Sequence, residues 1–167
     1  MVRVANRENQ RGLSLNELLL LLVVGAALTA IALPSYRLYA FKTHRSMAAK
    51  LMRSIGQQQE RWFLRNQHYT SLLTLGYPAP VIYVGTDGLA QGAATAQSIY
   101  RISLATSADA VASCKNPQGS GGTDKYLIIA QPIQAQAPDT LCATLCMNEA
   151  GQIGSSGSNT PKACWGP

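Results

Sequence analysis

The chain has 167 residues, enough for one ordinary domain and a short extension and too few for two large ones. Hydrophobic residues make up 47% and charged residues 13%, about half the charged share usual in a soluble globular protein, so membrane, assembly or cross-links must stand in for the missing charge. A formal net charge of +6 raises nucleic acid or an anionic surface as a partner, and where the charge sits along the chain decides how it is read.

Residues 1–12, MVRVANRENQRG, are polar and carry Arg3, Arg7 and Arg11. The run LLLLLVVGAALTAIAL follows from Leu18 to Leu33 without a charge. Extended back to Leu13 it gives about 30 Å of helix at ~1.5 Å per residue, enough to cross a bilayer. A secretory signal peptide would place small residues and a cleavage site after such a run. Here the run passes through Pro34 into a helix-favouring segment, and Ser14, Asn16 and Glu17 lie inside its start. A carboxylate at the centre of a membrane helix costs roughly 2.5–3.5 kcal/mol and less near the interface, so Glu17 calls for either a partner or an interfacial position.

Arg11-Gly12-Leu13-Ser14-Leu15-Asn16-Glu17 ahead of an apolar helix resembles the class III leader of the type IV pilin family. The resemblance implies that a prepilin peptidase cuts between Gly12 and Leu13 and that the new amino group of Leu13 is methylated. It also implies that Glu17 meets the Leu13 amino group of a neighbouring subunit during assembly. Attraction between unit charges grows in a low-dielectric filament core, so such a pair can act as a register key.

After Pro34, residues Ala48, Leu51, Met52, Ile55, Trp62 and Phe63 recur mostly at spacings of three or four, which predicts an amphipathic helix. Arg45, Lys50, Arg53, Gln57 and Arg61 are expected on its opposite face. Pro34 removes a backbone donor and is expected to kink or weaken the helix; by resemblance to pili, the stretch between Gly25 and Pro34 could melt or stretch in a filament. The segment Glu60-Arg61-Trp62-Phe63-Leu64-Arg65-Asn66, with Tyr69-Thr70-Ser71 and Leu75-Gly76-Tyr77-Pro78, resembles minor pilins of the PilE and ComP kind. Its aromatic residues are expected to anchor the helix on a sheet.

Downstream, Ile99–Thr106, Tyr126–Gln131 and Leu141–Met147 are β-prone, while Thr86-Asp87-Gly88, Pro117–Asp124 and Gly154–Ser158 read as turn or loop, and residues 79–97 are left unplaced. The expected fold is α+β of the type IV pilin kind, a long N-terminal helix packed on three to four antiparallel strands with a disulfide-stapled C-terminal region. The expected organisation is a cleaved leader over 1–12, a transmembrane and filament-core helix over 13–34, an amphipathic helix over 35–66 and a head over 67–167.

Cys114, Cys142, Cys146 and Cys164 all fall in that head, and an oxidising compartment turns four cysteines into two disulfides with three connectivities. Asp139-Thr140-Leu141-Cys142-Ala143-Thr144-Leu145 and Cys164-Trp165 resemble the family's tail pattern, which implies Cys142–Cys164 and leaves Cys114–Cys146. In a strand, Cys142 and Cys146 would share a face. A zinc site has no nearby histidine and no CxxC pair. His44 and His68 are isolated, and Asp87, Asp109, Asp124 and Asp139 are dispersed and read as turn caps, so neither catalysis nor a cofactor is expected, with calcium at Asp87 or Asp124 an outsider.

The leader contributes +2, residues 13–65 contribute +5 and the remainder −1, which together recover +6. The head therefore offers phosphate only Arg101, Lys115, Lys125 and Lys162. That favours a structural subunit, a minor one by its resemblance, over a DNA-uptake pilin like ComP; a type II secretion pseudopilin is the third reading. The partners implied by the family are other pilins, the prepilin peptidase, the inner membrane and its assembly machinery, with nucleic acid disfavoured. The resemblance implies a single-pass inner-membrane precursor and then an extracellular pilus, with adhesion, motility or DNA uptake as roles of the whole pilus.

Overall fold

The structure is a computed structural model that describes residues 14–105 and 125–166. Helix α1 runs over Leu15–Asn66. Its start follows from Ser14 and Glu17, spaced as in a capping box. The Glu17 amide donates to the Ser14 hydroxyl at 3.3 Å, and the carboxylate sits in the first turn, where the helix dipole favours it. Its end is equally local: Gln67 takes φ 58° and donates its amide to the Phe63 carbonyl at 2.8 Å, closing the last turn.

The chain divides into two compact units, residues 1–38 and 39–167. In the first, the described apolar side chains are exposed, from Leu15 at 74% to Ile31 at 71%. The most apolar 18-residue window of α1 has a mean hydropathy of 2.4 and no buried share, so α1 is long and apolar enough to cross a membrane.

The second unit is built on an antiparallel sheet of six strands. They are β1 Val81–Gly85, β2 Ala90–Gln91, β3 Ser98–Ala105, β4 Leu127–Pro132, β5 Leu145–Asn148 and β6 Ile153–Ser155, in the order β2-β1-β3-β4-β5-β6. A 3-10 turn, Gln134–Gln136, follows β4, and a five-residue helix α2, Pro161–Trp165, ends the described chain.

Three of these strands are not expected from the sequence. β1 and β2 lie in the segment left unplaced, and β6 takes the start of the glycine-serine stretch expected to be loop. β2 and β6 are edge strands of two and three residues, too short to show a period. The strand expected from Leu141 begins instead at Leu145, because Leu141 and Cys142 belong to a turn in which Ala143 takes φ 48°.

The register separates the two faces of the sheet. Ile82, Val84, Tyr100, Ile102, Ile128, Ala130, Leu145 and Met147 join Ala48, Ala49, Met52 and Ile55 of α1 in one buried cluster. Leu127, Ile129 and Cys146 form a second buried cluster with Ala105. Cys142 belongs to the first cluster and Cys146 to the second, so the two cysteines do not share a face.

Candidate functional site

The α1 stripe at positions 48, 52 and 55 continues at the same three-and-four spacing to Arg45 on one side and Gln59 on the other, and the structure buries both, at 8% and 0% exposure. That corrects the expectation of Arg45 on the polar face. Its guanidinium makes a forked ion pair with Asp139, Nε to Oδ2 at 2.6 Å and Nη2 to Oδ1 at 2.5 Å. Asp139, 2% exposed, is therefore a buried partner and not a turn cap. Asp87 does cap its turn, accepting the Leu89 amide at 3.0 Å.

Gln136 completes this clasp. Its Nε2 donates to Asp139 Oδ2 at 2.9 Å, to the Tyr100 hydroxyl at 3.2 Å and to the Phe41 carbonyl at 3.4 Å. Its Oε1 lies 2.9 Å from His44 Nδ1. Since the amide nitrogen of Gln136 is committed to acceptors, His44 must carry its proton on Nδ1. His44, read from the sequence as isolated, is thus tied into the clasp. Burial, with Asp139 next, pushes the Tyr100 phenol well above the usual tyrosine range, partly offset by its Gln136 hydrogen bond and by Arg45.

Cys142 and Cys164 form the disulfide that the family tail pattern implies, with Cα atoms 5.5 Å apart. It joins the turn after Asp139 to α2, whose Trp165 donates its indole N–H to the Gly154 carbonyl at 2.9 Å. The Arg53 guanidinium lies 5.7 Å from the centroid of the Trp165 ring. Both C-terminal elements that receive an arginine from α1 are therefore linked by one disulfide. Cys146 is disulfide-bonded too, but Cys114, its expected partner, lies outside the described residues.

The aromatic anchor expected near the helix end is a relay. Phe63 stacks on Tyr69 at 4.7 Å, and Tyr69 meets Tyr126 edge-on at 4.7 Å, just ahead of β4. Gln59 clips the chain after the helix by accepting the Thr70 amide at 3.0 Å and donating to its carbonyl at 2.5 Å. Burial, then the hydrogen bond to Glu60, raises the Tyr69 phenol to about 12.

On the other side of the helix end, Gln58, Arg61, Trp62, Arg65, Asn66, Thr74 and Leu75 line an open groove of about 520 Å³. Trp62 is half-buried, and its Nε1 is buried without a hydrogen-bond partner. A smaller hollow of about 290 Å³ lies near Arg53, Glu60, Tyr126 and Glu149. Among the described residues, no cluster of three or more His, Cys, Asp or Glu side chains could hold a metal ion.

Of the four cations expected to face phosphate, Arg101 and Lys162 stand on separate parts of the sheet. Arg101 on β3 donates to Gln131 on β4 at 3.0 Å. Lys162 is exposed on α2, which packs on β6, three strands away from β3. Lys125 precedes β4, and Lys115 lies outside the described residues. Of the assembly residues, Glu17 is exposed on the first turn of α1, Gly25 and Pro34 lie within that helix, and Gly12 and Leu13 lie outside the described residues.

Residues 34–146 match the family described as type IV minor pilin ComP, DNA uptake sequence receptor. The chain belongs to this family of type IV minor pilins. The match spans the amphipathic half of α1, with both arginines of the groove, and runs into β5 as far as Cys146. No curated protein matches the sequence. The long helix, the antiparallel sheet and the C-terminal disulfide together are the α+β pilin-like fold.

Proposed function

We propose that the chain is made as a precursor, cut between Gly12 and Leu13, methylated on Leu13, held in the inner membrane by one span, and assembled helix-inward as a minor subunit of a type IV pilus. The observation that carries this reading is the apolar side chains of residues 15–33, exposed on a chain whose other unit is folded around its own core. Such a surface is stable only in lipid or against other apolar helices. Glu17 would then find the Leu13 amino group of a neighbour as its partner. The subunit is structural, and we assign it no reaction.

Mass spectrometry of sheared pili tests this directly. The chain should be present as a minor component with its N-terminus at Leu13, and Gly12→Trp should leave the precursor uncut. Glu17→Ala should lower incorporation while membrane insertion and the head fold persist. Mature mass unchanged by Gly12→Trp would refute the cleavage site.

The second reading is a DNA-uptake pilin, ahead of the secretion pseudopilin as the sequence already ranks them. The matching family's description as a receptor for the DNA uptake sequence supports it, as does a groove lined by Arg61 and Arg65 with no acidic residue in its lining. The charge along the sequence disfavours DNA because the basic excess lies on the helix, much of which a filament would bury, and the head alone carries −1. Two arginines on the last turns of α1 belong to the same surface as the head.

A further inference from the structure

We propose that the groove at the end of α1 is a phosphate-binding site, with Arg61 and Arg65 as its clamp and Trp62 as its wall. The nucleic-acid source of that phosphate rests on the DNA-uptake reading above; the site itself does not. Arg61 and Arg65 stand four residues apart on one helix face, both exposed. Among the described residues neither makes a side-chain hydrogen bond or an ion pair. Like charges at this spacing repel each other. A cation in the last turn complements the helix dipole, which accounts for Arg65 and leaves Arg61 without a structural role.

The rest of the lining narrows the ligand. The Gln58 side-chain amide donates to the Tyr77 hydroxyl at 3.1 Å and that of Asn66 to the Trp62 carbonyl at 3.0 Å. Each of those amides keeps one N–H, the two guanidinium groups keep all of theirs, and no carboxylate lines the groove; the Trp62 Nε1 is buried, so the indole offers its ring and not its N–H. Guanidinium forks match the tetrahedral oxygens of phosphate. The volume of about 520 Å³ exceeds one phosphate and leaves room for the sugar or base beside it, against the indole ring.

The test uses the processed full-length chain in detergent micelles, with two probes: a short labelled DNA duplex followed by anisotropy, and inorganic pyrophosphate followed by tryptophan emission with Trp62→Phe as the blank. Arg61→Gln/Arg65→Gln should weaken both by about tenfold or more. It should also make the salt slope of duplex binding shallower by about 1.8, from roughly 0.9 per lost phosphate contact. The charge-matched pair Arg37→Gln/Lys42→Gln should leave both nearly unchanged, and circular dichroism should show the same fold in each variant. Pyrophosphate binding that depends on the arginine pair, without duplex binding, upholds the phosphate site and removes the DNA reading. Equal losses in the two charge-matched variants, no response of either probe to the arginine pair, or preference for an acidic peptide over pyrophosphate overturns the proposal.

Discussion

Replacing Asp139 by Asn keeps the shape of the buried clasp and removes its charge. Arg45 would remain at 8% exposure with no anion beside it, and water cannot screen it there. An Asn side chain has one acceptor oxygen, whereas Asp139 receives Arg45 through both oxygens and Gln136 through Oδ2. The Asn amide nitrogen must therefore face a second donor, either the guanidinium or the Gln136 amide. Breaking a buried ion pair from one side costs about 3–5 kcal/mol. For a unit of the size of residues 39–167, that is a loss in melting temperature of roughly 11–18 °C. Thermal unfolding of the full chain in detergent, followed by circular dichroism, reads it. Arg45→Met/Asp139→Leu should recover most of the loss, since apolar replacement of both partners is often near neutral. A single Asp139→Asn variant that loses less than about 1 kcal/mol would show that the clasp is hydrated and would refute this reasoning.

Stability measurements bear on three further features of the folded unit. Cys142→Ser/Cys164→Ser should cost about 3 kcal/mol in the chain-entropy model for a separation of 22 residues, and a midpoint unchanged by reduction would contradict it. Gly157→Ala should be severely destabilising, with a much lower melting midpoint, because a Cβ there overlaps the Leu141 carbonyl while the Gly157 amide donates to the Cys142 carbonyl at 3.0 Å; a midpoint close to that of the parent would contradict the close approach. Tyr69 has a folded value of about 12 against an ordinary 10.0, so the native state holds its proton more tightly than the unfolded chain. Its contribution is fully present below pH 10 and is lost as pH rises toward 12. Denaturant midpoints should fall across that window, and less steeply in Tyr69→Phe; an identical slope would deny the phenol its buried setting.

Much of this protein is local in the sequence. The apolar run from Leu18 to Leu33, the capping pair Ser14 and Glu17, and the stripe of Ala48, Met52 and Ile55 specify one long helix, because helical periodicity is written in neighbours three and four apart. The aromatic cluster at Phe63 and Tyr69 and the strand cores around Tyr100 and Ile128 are legible for the same reason, and the Cys142–Cys164 pairing was legible by family resemblance. What tertiary structure decided is non-local. Arg45 and Asp139 are 94 residues apart, and nothing in the sequence near either one names the other. The clue that Arg45 continues the buried stripe becomes decisive only when a partner arrives to neutralise it. The groove is likewise invisible in sequence, since Arg61 and Arg65 face Thr74 and Leu75 only after the chain reverses at Gln67 and Gln59 clips Thr70 back against the helix. Edge strands β2 and β6 are settled by pairing alone, because two or three residues carry too little pattern to choose a strand and become one only when a neighbour supplies the hydrogen bonds.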